Sequence, residues 1–473
     1  MNKKFFCLTV HSFIRIYDHC GFIVNKRSGH ERIYDDVGTV FLRYIKRQPQ
    51  KFEDVISVIS SEFIDADDDE IRNDFYEFIL DLSKDGFVIT GSSENDIAVN
   101  MPSFRYSDIR TLRTETRDDF NSSVTHFMNE MFKDSPKIMT LHMDITNRCN
   151  ERCIHCFLPE ERCRRDIDTS LAIDILGQAA DEGVLDLTIS GGECLLHKDF
   201  TRILSYARKC DFSITVLSNL TLLNDDVISV LKEANIEFIQ TSIYSMNPSE
   251  HDHVTQVHGS HEATVSGIEK LIDANIPVHV NFPVLKETYK SYGEVCEWAA
   301  NRRIKLSTDL MITARTDNTT DNLNLRLSSE EIKEFLSHTV SYVSGSQEEI
   351  NEDDPVCSVG RRAICVAQNG GYYPCAGFQN YVIGNAYKQS LHDVWNNSPE
   401  LRKLRGITWN NLPECLRCEA QKFCSVCVLR NLNNTGNLFT IDSHFCKAAH
   451  QCELLRSNIR VKKWRRHPDS NWG

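Results

Sequence analysis

The sequence predicts an α/β chain built around a partial (β/α)6 barrel, with a small winged-helix module before it and a cysteine-rich extension after it. Three observations carry this expectation. Strand-like and helix-like runs alternate six times from Lys137 to Ile312. Residues 8–92 instead pair two alternating runs with three helical patterns. Beyond about residue 350, cysteines recur at close spacing.

In the first region, "SFIRIY" and "GFIVN" have the period of strands, and "VGTVFLRYIKR", "FEDVISVISSEF" and "DEIRNDFYEFILDLSKDG" have that of amphipathic helices. The acidic run "DADDDE" suits a helix N-terminus, Gly86 ends that helix, and "FVITG" closes as a strand. Strands with three helices make a winged helix, and this stretch resembles the PqqD-like domain that recognises leader peptides of ribosomally made, modified peptides. That resemblance implies strand addition, in which an extended leader pairs with a sheet edge while a helix supplies side-chain pockets. A structural cap and a DNA-binding winged helix are the alternatives; the acidic composition and the lack of a basic recognition helix count against DNA. Residues 1–92 are expected to form this domain and the polar residues 93–136 a linker, which would tether the peptide and raise its local concentration.

The barrel is expected over 137–345. Its strands are "IMTLHMDI", "LDLTIS", "SITVLSN", "FIQTSIYS", "PVHVNFPV" and "KLSTDLMI", separated by amphipathic segments such as "TSLAIDILGQAADEG" and "ATVSGIEKLIDAN". Repeated βα units imply a parallel sheet covered by helices, with the site at the C-terminal ends of the strands.

Bulk properties limit the function. At 473 residues the chain has room for two or three domains, and 41% hydrophobic content supports packed cores. A net charge of −14 disfavours nucleic acid, whose binding by counterion release needs a basic face. The first twenty residues begin like a signal peptide but meet His11, Arg15, Asp18 and His19 too early, and no window reaches the roughly 18 apolar residues of a spanning helix. A cytoplasmic location without membrane contact is expected. There, 18 cysteines point to metal ligation rather than disulfides. Ten fall in spaced sets; Cys7, Cys20, Cys163, Cys194, Cys210, Cys296, Cys365 and Cys452 are scattered and read mostly as apolar fillers.

Just past the first barrel strand, "MDITNRCNERCIHCFLPE" places Cys149, Cys153 and Cys156 in a CxxxCxxC pattern. Three thiolates on a four-iron cluster leave one iron open to a substrate or cofactor. After the second strand, "ISGGEC" offers Gly191 and Gly192 for close backbone approach and Glu193 as a carboxylate for a cationic amine. Zinc held by the three cysteines and His155 is the alternative; adjacent His155 and Cys156 turn poorly to one ion, and zinc explains neither the GGE nor its placement.

In this order and placement, the two motifs resemble the radical S-adenosylmethionine (SAM) superfamily, over about 137–325. The resemblance implies a partial TIM barrel radical SAM core, a 4Fe–4S cluster on Cys149, Cys153 and Cys156, and SAM chelating the open iron and yielding a 5′-deoxyadenosyl radical that abstracts a substrate hydrogen. It further implies amine binding at Gly191, Gly192 and Glu193, an adenine contact at Ile154, and ribose or carboxylate contacts at Asn219 and Ser242. Cys194 departs from the usual proline after GGE.

Further on, Cys357, Gly370 and Cys375 precede Cys415, Cys418, Cys424 and Cys427, with Cys446 more distant. This spacing resembles the SPASM extension, except that two residues rather than the usual three separate Cys424 from Cys427. The resemblance implies two auxiliary iron–sulfur clusters in a domain spanning 346–455. Cys415, Cys418, Cys424 and Cys446 would hold one; Cys357, Cys375 and Cys427 would hold the other, with Cys365 a possible fourth ligand. A zinc ribbon of Cys415, Cys418, Cys424 and Cys427 is the alternative and leaves three cysteines unused. The charge runs "SSEE", "SQEEINEDD" and "DADDDE" read as solvated helix starts or loops, and the basic tail 456–473 receives no role.

The expected function is maturation of a ribosomally synthesised precursor peptide, with thioether crosslinking preferred over carbon–carbon crosslinking, epimerisation and sulfatase-type formylglycine formation. The expected partners are the precursor, through its leader, and a flavodoxin- or ferredoxin-type electron donor. The non-enzyme alternative is a zinc-binding peptide adaptor.

Overall fold

The computed structural model describes residues 3–17, 20–63, 67–109, 131–159, 165–339 and 350–464, with side chains up to 456. Cys163, residues 110–130 of the expected linker, parts of two charge runs and the end of the tail lie outside the described residues.

The N-terminal module has two three-stranded antiparallel sheets. One has the order β5–β1–β6 and the other β2–β3–β4, from strands β1 (Phe5–Leu8), β2 (Ser12–Tyr17), β3 (Cys20–Asn25), β4 (Glu31–Asp35), β5 (Gln50–Lys51) and β6 (Val88–Gly91). Helices α1 (Asp36–Arg43), α2 (Phe52–Ser60) and α3 (Asp68–Lys84) pack on them where the apolar periodicity placed helices. Asp67 caps α3 by accepting from the Asp69 N–H, with Asp68, Asp69 and Glu70 in the first turn. The core is aromatic: Phe75 meets Phe6 at 5.5 Å and Phe41 at 5.2 Å, edge to face. Residues expected within the linker begin differently, as helix α4 (Glu94–Asn100) and a 3-10 turn (Tyr106–Asp108). Apolar anchoring is the reason: Tyr106 is buried against the barrel, where its hydroxyl donates to Ile276 O (3.1 Å) and accepts from Val278 N (2.9 Å).

All six barrel strands form where expected: β7 (Thr140–Thr146), β8 (Asp186–Gly191), β9 (Ser213–Leu217), β10 (Phe238–Ser242), β11 (Val278–Pro283) and β12 (Lys305–Asp309). They pair in parallel in chain order. One face of each strand, including Leu141, Met143, Leu187, Ile189, Ile214, Val216 and Val280, packs under the outer helices α5 (Thr169–Asp181), α6 (Phe200–Lys209), α7 (Asp225–Glu233), α8 (Pro248–Thr255), α9 (Ser260–Asp273), α10 (Tyr292–Asn301) and α11 (Ser329–Ser337). The alternate residues His142, Asp144, Thr188, Ser190, Gln240 and Asn281 therefore share the inner, polar face.

The extension is not a separate lobe. Strand β13 (Ala363–Val366) pairs in parallel with β7, and β14 (Gly371–Tyr373) and β15 (Gly384–Asn385) follow antiparallel, so one nine-stranded sheet runs from β12 to β15. Helices α12 (Leu391–Asn397), α13 (Pro399–Arg405), α14 (Pro413–Leu416), α15 (Val428–Thr435) and α16 (Ser443–Trp464) complete it.

The N-terminal module docks on the ends of the barrel strands opposite the CxxxCxxC loop. Arg15 donates to Val184 O (3.0 Å) and Asp211 O (2.7 Å), Tyr17 to Gly183 O (2.8 Å), and Asn235 to Val10 O (3.1 Å). The Asp211 carboxylate gathers Arg15, Arg47 and Arg208. His11 sits among Arg27, Arg47 and Arg208; burial first, and then these cations, push it down to about 4.

Asp211→Ala is expected to loosen this docking by about 1–3 kcal/mol, toward the lower end because the carboxylate is partly solvated, and to speed limited proteolysis between the two units. Acidification should act on the same interface. The folded pKa of His11 lies below its ordinary 6.5, so its contribution is complete above pH 6.5 and is lost as the pH falls through about 4. His11→Gln should flatten that acid limb in thermal unfolding.

Candidate active site

The site begins where β7 ends. The last residue of β7 and the loop that follows it, Asn147 to Cys156, are laced to the end of β8 by two backbone hydrogen bonds, Gly192 N to Thr146 O (2.8 Å) and Glu193 N to Arg148 O (2.8 Å). Glycine is required for that approach. A Cβ on Gly191, whose φ is +145°, would lie 2.2 Å from Thr146 O, and one on Gly192 would lie 2.4 Å from Arg148 O and 3.0 Å from Cys149 Cβ. Arg148 anchors the loop through a two-pronged ion pair to Asp166 (2.8 and 2.7 Å).

Cys149, Cys153 and Cys156 are brought together, each half-buried. Burial lifts the Cys149 thiol to about 12, with Glu193, Glu151 and Cys156 adding to the rise; Cys153 is raised by burial, Glu151 and Cys156. Crowded thiols of this kind ionise only when a cation shares their charge, which fits an iron cluster. The Tyr244 hydroxyl lies 3.8 Å from Cys153 Sγ, and His155 packs edge-on to the Tyr244 ring at 5.2 Å. His155 is half-buried, desolvation pushes it down to about 4, and its Nδ1 is closed off from solvent without a hydrogen-bond partner.

The other predicted residues fall around this loop. Glu193 is fully buried, and its carboxylate accepts from Leu195 N (2.9 Å), Ser218 Oγ (2.8 Å) and Asn219 N (2.7 Å). Asn219 donates its side-chain amide to Asn150 Oδ1 (3.0 Å), binding the end of β9 to the loop. Ser242 ends β10, close to the buried Tyr244. Ile154 packs against Tyr244, Val254, Leu285 and Ile312, while its N–H donates to Val254 O (3.0 Å).

The extension's cysteines separate into two groups. Burial raises Cys424 to about 12, with Cys446, Cys415 and Cys418 as its cysteine neighbours. Burial also raises Cys375 to about 12, here with Cys427 and Cys357 beside it. Cys365 stands apart, fully buried on β13 opposite Tyr373, with Cys375 and Asp144 acting on its thiol.

A network that the motifs do not announce joins the two domains. Asp144 on the inner face of β7 accepts from the Tyr373 hydroxyl, from Gln379 Nε2 (2.8 Å) and from His142 Nε2 (3.0 Å). Burial pulls its carboxyl up, but these partners outweigh it and hold the carboxyl below its ordinary range. His142 and Asp144, polar residues at alternate positions of a strand in a parallel sheet, were the available signal.

Comparison with known proteins bears on the chemistry. The Radical SAM superfamily matches residues 143–299, and the iron-sulfur cluster-binding SPASM domain matches 357–419. PqqA peptide cyclase of Gluconobacter oxydans is 24% identical over 64% of this chain and 89% of its own length. The subtilosin biosynthesis protein AlbA of Bacillus subtilis is 27% identical over 63% and 69%, respectively. Streptococcus suis SuiB bound to its precursor peptide SuiA superposes with a TM-score of 0.61 over 93% of this chain and 99% of that one, at 17% identity, a likeness of fold.

Gly192→Ala should drive the CxxxCxxC loop off β8. Anaerobically purified variant is expected to lose the iron of one cluster, read as iron per chain and visible absorbance, and to retain the remainder.

A radical SAM domain fused to a SPASM domain replaces the zinc-adaptor alternative: the chain is an enzyme of the radical SAM type, and its cofactors are S-adenosylmethionine and 4Fe–4S clusters.

Proposed function

We propose that this enzyme matures a ribosomally synthesised precursor peptide, most favourably by joining a cysteine sulfur to a carbon of another residue. The observation that carries the reading is the placement of the extension. Strands β13 and β14 set Cys365, Tyr373 and the neighbouring Cys375 beside β7, the strand that leads into the CxxxCxxC loop. A peptide on the polar inner face would thus lie between a radical source and thiols able to hold iron. Cys149, Cys153 and Cys156 would hold one cluster; Cys415, Cys418, Cys424 and Cys446 a second; and Cys357, Cys375 and Cys427 a third, with Cys365 in reach. Bound SAM supplies a carbon radical that removes a substrate hydrogen. The chain's own residues position that cofactor through the Gly191–Gly192 approach, the Glu193 network and the apolar wall around Ile154, and the buried walls keep water out.

The N-terminal module supports a leader-bearing substrate. β4 is one of the two edge strands of its sheet, and Tyr34, Val37, Gly38, Phe41 and Phe78 line a groove of about 370 Å³ between β4, α1 and α3. Asp74 and Glu77 border it, both exposed, while Asp81 is paired with Arg32. An extended leader adding to β4 would place an apolar side chain in the groove and a lysine or arginine against Asp74 and Glu77. Carbon–carbon crosslinking is the second reading; a peptide cyclase among the relatives supports ring closure within a peptide. The AdoMet-dependent heme synthase of Methanosarcina barkeri, 24% identical over 62% of this chain and 92% of its own, acts on a different class of molecule, so the substrate is settled by experiment. We further propose a flavodoxin- or ferredoxin-type donor and a cytoplasmic setting; no helix among the described residues is long and apolar enough to cross a membrane.

Co-expression with a cysteine-containing peptide encoded beside the gene, then alkylation and mass spectrometry, tests the reading. A loss of two hydrogens with one fewer alkylatable thiol is the expected result, and the same loss with all thiols alkylatable would select the carbon–carbon bond. Replacing Cys149, Cys153 and Cys156 together by Ala should abolish the mass change while leader affinity stays. Asp74→Lys with Glu77→Lys should weaken leader binding roughly tenfold at low salt, and by less as salt screens the pair.

A further inference from the structure

Cys153 sits between elements that are fastened to one another. The N–H groups on either side of it, those of Arg152 and Ile154, donate to Thr255 O and Val254 O (both 3.0 Å), at the end of α8. Tyr244, two residues past β10, donates its own N–H to Nδ1 of His251 on the same helix (3.4 Å). Tyr244 is 5% exposed, with its ring packed on the His251 ring at 5.1 Å and on the His155 ring at 5.2 Å. So held, its hydroxyl donates to Cys153 Sγ at 3.8 Å, within reach of a hydrogen bond to sulfur. As a free thiol, Cys153 gives its own hydrogen to Glu151 Oε2 (3.5 Å). An iron ligand has no such hydrogen, so the contact with Glu151 loses its bond while the one from Tyr244 strengthens, because a thiolate is the better acceptor. Packing against Ile154, Val254, Leu285 and Ile312 calls for a ring but not for a hydroxyl: phenylalanine would fill the same space without carrying a polar atom into an apolar wall.

We propose that Tyr244 is a positioning residue whose O–H···S hydrogen bond to Cys153 makes the CxxxCxxC cluster easier to reduce. The inference rests on the reading above, in which Cys149, Cys153 and Cys156 hold a 4Fe–4S cluster. Reduction adds one electron, delivered by the flavodoxin- or ferredoxin-type donor, and breaks no bond; the hydroxyl keeps its proton. The added charge spreads onto the cluster sulfurs, and a donor dipole fixed against one of them stabilises the more negative state more, which raises the midpoint potential. The packing around the ring aims that dipole in advance, so nothing has to reorganise when the electron arrives.

The test is a potentiometric titration followed by electron paramagnetic resonance, on anaerobically reconstituted full-length protein without S-adenosylmethionine. The signal of this cluster is the one missing from protein in which Cys149, Cys153 and Cys156 are all replaced by Ala. Tyr244→Phe should lower the reduced-to-oxidised ratio of that cluster about tenfold at a fixed potential, a downward shift of about 59 mV for one electron. The auxiliary clusters and the iron per chain should not change. An unmoved or raised midpoint would overturn the proposal, as would an equal shift of every cluster, which marks a general loosening of the fold. If Tyr244→Phe fails to hold this cluster, 3-fluorotyrosine in place of Tyr244 serves instead: ring and hydroxyl stay, the hydroxyl is a stronger donor, and the midpoint should rise. No rise would then overturn the proposal. Wild-type protein with no signal that depends on the three cysteines would instead overturn the cluster reading on which the proposal rests.

Discussion

The close backbone approach of two loops underlies the whole site. Two hydrogen bonds, from Gly192 to Thr146 and from Glu193 to Arg148, hold the residues after β7 against the end of β8 at a distance no side chain tolerates. Everything placed relative to that seam follows from it. The thiols of Cys149, Cys153 and Cys156 take their positions from the β7 side, and Glu193 is driven inward on the β8 side, where it gathers donors from the end of β9. The seam is short and polar, and burial makes it rigid, because an amide parted from its partner there would find no water.

A second constraint runs across the sheet. β13 pairs with β7 as though it were another barrel strand, so the cysteine-rich region continues the same hydrogen-bond ladder rather than resting on it. The Asp144 network reinforces that join from the inside, with a barrel carboxylate served by a tyrosine and a glutamine of the extension. The two domains accordingly share one polar interior.

Much of this was legible in the residues. Six barrel strands and three N-terminal helices were plain because their periods are regular, and the cluster loop was plain because thiol spacing carries chemistry in itself. In the fold Cys424 neighbours Cys415, Cys418 and Cys446, and Cys375 neighbours Cys357 and Cys427. What the sequence concealed depends on long-range contact. The pairing of β13 with β7 joins residues more than 200 positions apart, beyond the reach of periodicity. Residues 94–109 read as a linker because their composition is polar, yet the Tyr106 side chain and the Arg303 guanidinium strap them to the barrel.

The N-terminal module rests on the ends of the barrel strands opposite those that carry the cluster loop, and this sets a length scale. Strands of five to seven residues make the barrel roughly 20 Å tall. On the function proposed above, a precursor held in the groove between β4, α1 and α3 while its core segment enters the opposite mouth would have to cover at least that distance, about six extended residues by the straightest line and more around the helices. The separation would then act as a ruler: residues too near the leader cannot reach the inner face, and the first position open to modification is set by the height of the barrel as well as by the chemistry within it.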